Sequence, residues 1–459
     1  MATTAEYLNA LRRDRNNYIN VIENITGYRP EGATFTQATQ DLKQNLPVIE
    51  KDFYSNAANL FRGVNYGSSG YWNSIGYPAS PTNLVEDTRR LANITNFTNL
   101  YGTFNNARTL TDLDVSNWNT NLVTDMQYTF YNCRALNNLD VKNWNVSNVV
   151  STYGMFEYCY NLQSLDLSKW NTSSLIRSGY MFYNCENLIL TGFNSWDLSS
   201  LENSQDMFYR IKKISDLNFV NRNLGNLINT SYMFASVQDL NSINLYGLNI
   251  GKLVNSSYMF GAAKLENVWY LNQANTTSLE CAATMFYGTN IKTINASLKY
   301  SNNLTKIDSM FKYCRNLTTV NMENINFALY SNNNCISMGS VFEGCNNLTT
   351  VNLYGWKCQN INTMTNMFRD SINLTNIVLT SWNLSNLIYA NNMFYNCNNL
   401  SNYALSNIAN AFSTATSMYY KNMNNTNKYS PLYNTNKQIN SATVGDTVLA
   451  KLTSNGWNV

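Results

Sequence analysis

A chain of 459 residues exceeds one ordinary globular core, so several domains or a repeat array are expected. Charged residues make up only 13% against 44% hydrophobic, where roughly 25% charged is usual, so the surface is polar but largely uncharged. A formal charge of +3 without any long Lys/Arg run excludes a stripe that tracks phosphates, and nucleic acid is not an expected partner. With no histidine in the chain, the commonest general base and the commonest transition-metal ligand are missing.

The first 50 residues predict two short helices. Thr3-x-x-Glu6 is a capping-box pattern. Leu8, Leu11, Tyr18, Ile19 and Ile22 follow at helical spacing, and Gly27 with Pro30 supplies a stop. A second helix begins near Thr34-x-x-Gln37, carries Phe35, Ala38, Leu42 and Leu46, and ends before Pro47. Such helices bury little alone, so residues 1–50 are expected to attach the chain to a partner or to further copies of itself, with Leu8, Leu11, Tyr18 and Ile22 as the contact face. Residues 51–92, with Gly67-Ser-Ser-Gly70 and Tyr77-Pro-Ala-Ser-Pro81, read as a connector and N-terminal cap. The start of the chain shows no secretory pattern and no apolar stretch approaches about 18 residues, so synthesis in the cytoplasm without a signal, and no membrane insertion, are expected.

Residues 93–412 carry a repeat. Phe104, Phe130, Phe156, Phe182, Phe208, Phe234, Phe260 and Phe286 are spaced by 26; Phe311, Phe342, Phe368 and Phe394 continue the series after steps of 25, 31, 26 and 26. Counting from each Phe, apolar residues recur at +6, +9 and +11, as in Leu136, Leu139 and Val141, which is the L-x-x-L-x-L spacing of a leucine-rich-repeat strand. Positions +9 and +11 point inward, and +8, +10 and +12 outward. Trp recurs at +14 (Trp118, Trp144, Trp170, Trp196, Trp356, Trp382) and Val or Leu at +19. The block contains no proline, which suits stacked sheet. The pattern predicts a repeat solenoid, leucine-rich-repeat-like, with a parallel β-sheet of about 12 coils and a length of roughly 60 Å at the strand spacing. Residues 413–459 then form a C-terminal cap.

Six cysteines (Cys133, Cys159, Cys185, Cys314, Cys345, Cys397) share position +3, where other coils put Ile211, Val237 or Ala263. The column reads as buried free thiols and not as disulfides or a zinc site. Asp114, Asp140 and Asp166 share +10 in successive coils and form an outward acidic column. Like charges about 5 Å apart repel, so solvation, Lys142 or a calcium ion is needed to relieve them. Apart from that calcium option, no cofactor is expected. Further along, the same face carries Asn218, Asn244 and Asn352, with Tyr246 and Tyr354 at +12; amides and exposed rings suit a glycan or a protein, or merely keep a sheet soluble. Sparse acids offer no glycosidase pair, and the chain is not read as an enzyme. Five extra residues around Asn326 to Ser337 make either a docking loop or a tolerant turn.

Segments such as Leu162-Gln-Ser-Leu165-Asp-Leu-Ser-Lys-Trp170-Asn-Thr-Ser and Met155-Phe156-Glu-Tyr-Cys159 resemble the BspA-type leucine-rich-repeat surface proteins of low-GC bacteria over about residues 93–410. The resemblance implies the fold and adhesion-type roles, and brings no catalytic residues. It weakens from Phe208 to Phe286, where Trp at +14 is lost. The N-terminus, with Thr4-Ala-Glu-Tyr-Leu-Asn-Ala-Leu-Arg-Arg-Asp-Arg, resembles virion proteins of Firmicutes phages. The leading expectation is therefore a virion structural or adhesion protein, a homo-oligomer held to other virion proteins by its N-terminus and presenting the solenoid to a host surface glycan or protein. A bacterial BspA-like surface adhesin is the alternative, and a solenoid carbohydrate-active enzyme the third.

Overall fold

The computed structural model describes residues 97–111, 113–214, 217–269, 276–295, 303–325, 327 and 336–459. The helices expected over 1–50 with Leu8, Leu11, Tyr18 and Ile22, the connector 51–92 and most of the insertion from Asn326 to Ser337 lie outside the described residues. The chain forms two compact units, the first ending at Asp197 and the second running from Leu198 to Val459.

Each unit is a parallel solenoid with the expected repeat. In the first, β1 (Ser164–Asp166) pairs in parallel with β2 (Ile189–Thr191), placing Leu165 against Leu190. The second holds β3 (Lys213–Ile214), β4 (Ser242–Asn244), β5 (Asn267–Trp269), β6 (Thr293–Asn295), β7 (Thr319–Asn321), β8 (Ile336–Ser337), β9 (Thr350–Asn352), β10 (Ile361–Thr363) and β11 (Asn376–Val378). Here β4 pairs with β5, β8 with β10, and β6, β7, β9 and β11 form a four-stranded ladder. The +9 residues Ile294, Val320, Val351 and Ile377 stand in register and are buried.

The parallel solenoid forms as expected, with a smaller extent of regular strand: among the described residues the longest ladder within a unit has four strands. The strands are short, and in several coils the residue at +10 is Asp or Asn, whose side chain accepts the backbone N–H two residues on and turns the chain out of the strand. Lys142 donates to Asp140 at 3.1 Å, Ser168 to Asp166 at 3.0 Å, Val220 to Asn218 at 2.9 Å and Tyr354 to Asn352 at 3.1 Å.

The continuous element is instead a stack of turns around the anchor Phe. Residues at −2 and +2 lie in the left-handed region in every coil, Tyr128 and Asn132 at φ 54° and 60°, Tyr180 and Asn184 at 57° and 58°. That conformation costs a side-chain-bearing residue about 1 kcal/mol. It turns alternate N–H groups toward the next coil. Tyr128, Phe130 and Asn132 donate to the carbonyls of Tyr153, Met155 and Glu157 at 2.9, 2.8 and 2.6 Å, while the residues between close turns inside their own coil. These bonds offset the strain and satisfy a backbone that would otherwise be buried unpaired.

Side chains repeat the same inter-coil logic. Neighbouring Phe rings stack, Phe130 on Phe156 at 5.4 Å and Phe342 on Phe368 at 5.2 Å, and the longer step from Phe311 to Phe342 leaves the rings 5.4 Å apart. Trp144 and Trp170 each donate Nε1–H to the +11 carbonyl of the preceding coil at 2.9 Å. The cysteines at +3 are buried free thiols. Each bonds to the preceding anchor's carbonyl, as Cys159 does to Phe130 at 3.1 Å, and Ser371 replaces the thiol with a hydroxyl at 2.9 Å. Asparagine amides reach back a coil too, Asn148 to the carbonyl of Asn121 and Asn226 to that of Ser199, both at 2.8 Å. Much of the asparagine content is thus structural.

At the C-terminus helix α1 (Asn402–Phe412) starts at Ser401, whose hydroxyl accepts from the Ala404 N–H at 3.2 Å. Beyond it lie α2 (Ser441–Val444) and α3 (Asp446–Ser454). Phe412 meets Trp457 edge to face at 5.6 Å. The N–H of Phe394, which in other coils would find the next Met or its equivalent, donates to the Pro431 carbonyl at 2.8 Å, so the last rung of the ladder is filled by the terminal segment. Among the described residues no helix is long and apolar enough to cross a membrane.

Candidate functional site

The outward strand face was the expected site. In the first unit, Asp114 accepts from Ser116 Oγ at 2.8 Å and Asp140 from its own turn. Asp166 receives Lys142 Nζ at 2.5 Å. Of the three ways to relieve the acidic column, the structure shows Lys142 bridging onto Asp166. Hydrogen bonds from Lys142 and Ser168 hold the Asp166 carboxyl well down, to about 2. Among the described residues no group of three or more His, Cys, Asp or Glu side chains is placed to hold a metal ion. In the second unit Tyr246 and Tyr354 are exposed, and each donates its N–H to the Asn two residues before it. They belong to the coils of Phe234 and Phe342, with Phe260, Phe286 and Phe311 between, so the structure does not bring them together.

A different surface of the first unit gathers chemistry that the sequence reading passed over. The turn stack carries Tyr101, Tyr128, Tyr131, Tyr153, Tyr158, Tyr180 and Tyr183, all half-buried. Their rings form a connected wall: Tyr128 meets Tyr131 and Tyr153 edge to face, both at 5.6 Å, and Tyr153 lies 5.3 Å from Tyr180. Tyr158 joins Tyr131 to Tyr183 at 5.8 and 5.5 Å. A pit of about 360 Å³ opens in this wall, lined by tyrosines, Asn105 and Glu157.

Among the described residues lining the pit Glu157 is the only acid, and it is only 9% exposed. It follows the Phe156 anchor by one residue, and Gly154 precedes that anchor by two. The −2 column reads Gly102, Tyr128, Gly154, Tyr180, and at Gly154 the Tyr128 ring of the preceding coil takes the space a side chain would fill. A Cβ on Gly154 would lie 2.6 Å from Tyr128 Cε1 and 3.0 Å from a Glu157 carboxylate oxygen, and its φ of 60° already favours glycine. Burial, then Tyr153 and the Glu157 carboxylate, push the Tyr128 phenol up to about 12. Burial and Glu157 also raise Tyr131 and Tyr158. The phenols therefore stay protonated donors beside a fixed carboxylate.

Residues 98–218, 191–300, 215–326 and 305–432 match the family described as Mycoplasma protein of unknown function, DUF285. The chain belongs to this family. The match covers the stretch that carries the BspA-like repeats and leaves the N-terminal residues outside it. A leucine-rich repeat protein from Bacteroides ovatus is similar to this DUF285 member over 67% of this chain and 70% of its own, at 17% identity and a TM-score of 0.35. An internalin from Listeria monocytogenes is similar over 74% and 83%, at 15% identity and a TM-score of 0.18. No curated protein matches the sequence.

Proposed function

We propose that this DUF285 member is a non-enzymatic recognition scaffold that works at a surface and holds a protein partner on the tyrosine wall of its first unit. The observation that carries this reading is the wall itself: seven half-buried tyrosines in contact, five of them lining one pit. The thiols bond to Phe carbonyls, and the outward Asp and Asn to their own turns. Tyrosine supplies large contact area at a low cost in side-chain entropy, and its hydroxyl accepts or donates, which is why it concentrates at protein contacts. A protein is favoured over a glycan because tyrosines concentrate at protein contacts, whereas either ligand can donate a hydrogen bond to the carboxylate at the pit. The phage attachment expected from residues 1–50 draws no support from the family match.

The test is binding of the full chain to arrays carrying peptides and glycans side by side. Peptide binding is expected, weakened on the order of ten-fold by Tyr131→Ala with Tyr183→Ala, as for loss of interface aromatics. Binding to glycans alone would overturn the reading. Chemical change in the recovered ligand would overturn its non-enzymatic part.

A further inference from the structure

Several lysines of this solenoid are answered from a neighbouring coil. Lys142 meets Asp166, Lys213 meets Asp239, Lys292 meets Glu266 and Lys312 meets Glu343, at 2.5, 3.2, 2.8 and 2.9 Å. Lys169 and Lys252 are met in the same way by the amide oxygens of Asn143 and Asn226, both at 2.8 Å.

The +4 column of the first unit departs from this habit. It reads Arg108, Arg134, Tyr160, Glu186, so two exposed guanidinium-bearing residues stand in successive coils, about 5 Å apart along the stack. Farther along the column Lys212, Lys264 and Arg315 are also cations, but none has a second cation in the coil beside it. Among the described residues neither Arg108 nor Arg134 pairs with a carboxylate. Like charges at adjacent positions of a stack repel, and here nothing in the column offsets them.

Both arginines border the tyrosine wall. Arg134 donates its Nε–H to Asn132 Oδ1 at 2.7 Å, and its guanidinium lies 5.7 Å from the centre of the Tyr160 ring. The side chain is thus held, and its two terminal nitrogens remain as donors, the pair that grips a carboxylate side by side. Burial and Glu157 raise the Tyr131 phenol while Arg108 and Arg134 both act to lower it, so the two guanidiniums lie around one hydroxyl of the wall. Tyr131 in turn touches Tyr128 and Tyr158 at 5.6 and 5.8 Å.

We infer that Arg108 and Arg134 receive aspartate or glutamate side chains of the polypeptide held on the tyrosine wall. This deepens the recognition reading and rests on it. The partner supplies from outside what Asp166 supplies to Lys142 from the next coil. Carboxylates are chosen because each internal pair sets one cation against one carboxylate. In an extended segment side chains two residues apart share a face at roughly 7 Å, a separation that two long arginine side chains span, so an acid-x-acid segment fits the pair.

The test uses the full chain and fluorescein-labelled Gly-Ser peptides carrying four glutamates, four glutamines or four phosphoserines, read by anisotropy. The glutamate peptide is expected to bind, and glutamine, which keeps the shape without the charge, to bind on the order of ten-fold more weakly. Arg108→Gln with Arg134→Gln should weaken glutamate binding by a similar factor. Lys212→Gln with Lys264→Gln, the same change of charge in the same column of the second unit, should leave it unchanged. Because Arg134 packs on Tyr160, Arg108→Gln alone serves as a second variant and should weaken binding in the same direction. Equal binding of glutamine, or equal loss in the lysine control, would overturn the acid assignment while leaving a peptide-binding wall. So would phosphoserine binding where glutamate does not. Failure of all three peptides, together with silence on the peptide array, would instead sink the recognition reading.

Discussion

In the first unit Tyr131, Glu157 and Tyr183 succeed one another where the second unit carries Lys312, Glu343 and Arg369. The scaffold beneath is the same in both: stacked Phe rings, left-handed residues at −2 and +2, and alternate N–H groups donated to the next coil. In the second unit Lys312 lies against Glu343 from inside the same column, and in the first the positions on either side of Glu157 hold tyrosines. A repeat whose core columns are strictly kept can vary the column beside the anchor without disturbing the stack, because the side chains in that column take no part in the ladder.

The strongest way to break this comparison is through the column the units are held to share. Phe156→Ala and Phe342→Ala should each cost about 3–5 kcal/mol, since both remove a fully buried ring and leave a cavity. Urea unfolding measures it. A loss confined to one of the two would show that the Phe stack does not do the same work in both units.

A smaller effect separates the units. Lys312→Met should cost on the order of 1–3 kcal/mol, because it strands the Glu343 carboxylate, which is only 12% exposed. Lys312→Met with Glu343→Gln should recover most of it. Thermal melts of the single and double variants decide the matter, and a neutral single variant would mean that the second unit does not depend on its internal pair.

The smallest effect is a pH dependence of the tyrosine wall. The Tyr128 phenol is pushed from about 10 in the unfolded chain to about 12 in the folded one. A raised value means that the folded state keeps its proton while the unfolded state loses it, so this contribution is complete below pH ~10 and is lost as pH climbs toward ~12. The ring is only half-buried and solvent screens it, so the effect should stay below about 1 kcal/mol. Tyr128→Phe should flatten the fall in stability between those pH values, measured by denaturation at a series of alkaline pH values; an unchanged slope would separate the phenol from the shielded environment described for it.

Much of the molecule is legible in the 26-residue period. Columns of Phe, Trp and Cys can be read as core because each coil buries its apolar set only against its neighbours, so equivalent positions must match. The acidic column was legible as a column, and Lys142 among its possible partners. Its role in ending the strand was not read, although Asp or Asn followed two residues later by a donor carries that signal. The left-handed positions escaped notice for a different reason. Tyr128, Tyr232 and Arg210 are not residues that announce a positive φ, although Asn132 and Gly154 at the same positions are, and what holds them there is the carbonyl of the next coil, 25 residues on.

The candidate site divides in the same way. Tyr246 and Tyr354 drew attention as outward rings, yet the chain places them several coils apart. The pit at Glu157 was missed because its residues lie around the anchor, in a stretch read only as core. A signal was present: Gly154 interrupts a column that holds Tyr128 and Tyr180, and Glu157 interrupts one that holds Tyr131 and Tyr183. Sequence by itself determined the repeat, its register, its core columns and the parallel solenoid, because a period fixes which residues are neighbours whatever the backbone does between them. Tertiary structure alone decided which backbone ladder joins the coils, where the strands stop and which tyrosines close around one carboxylate, because each of these depends on directions of N–H groups and side chains that a period does not specify.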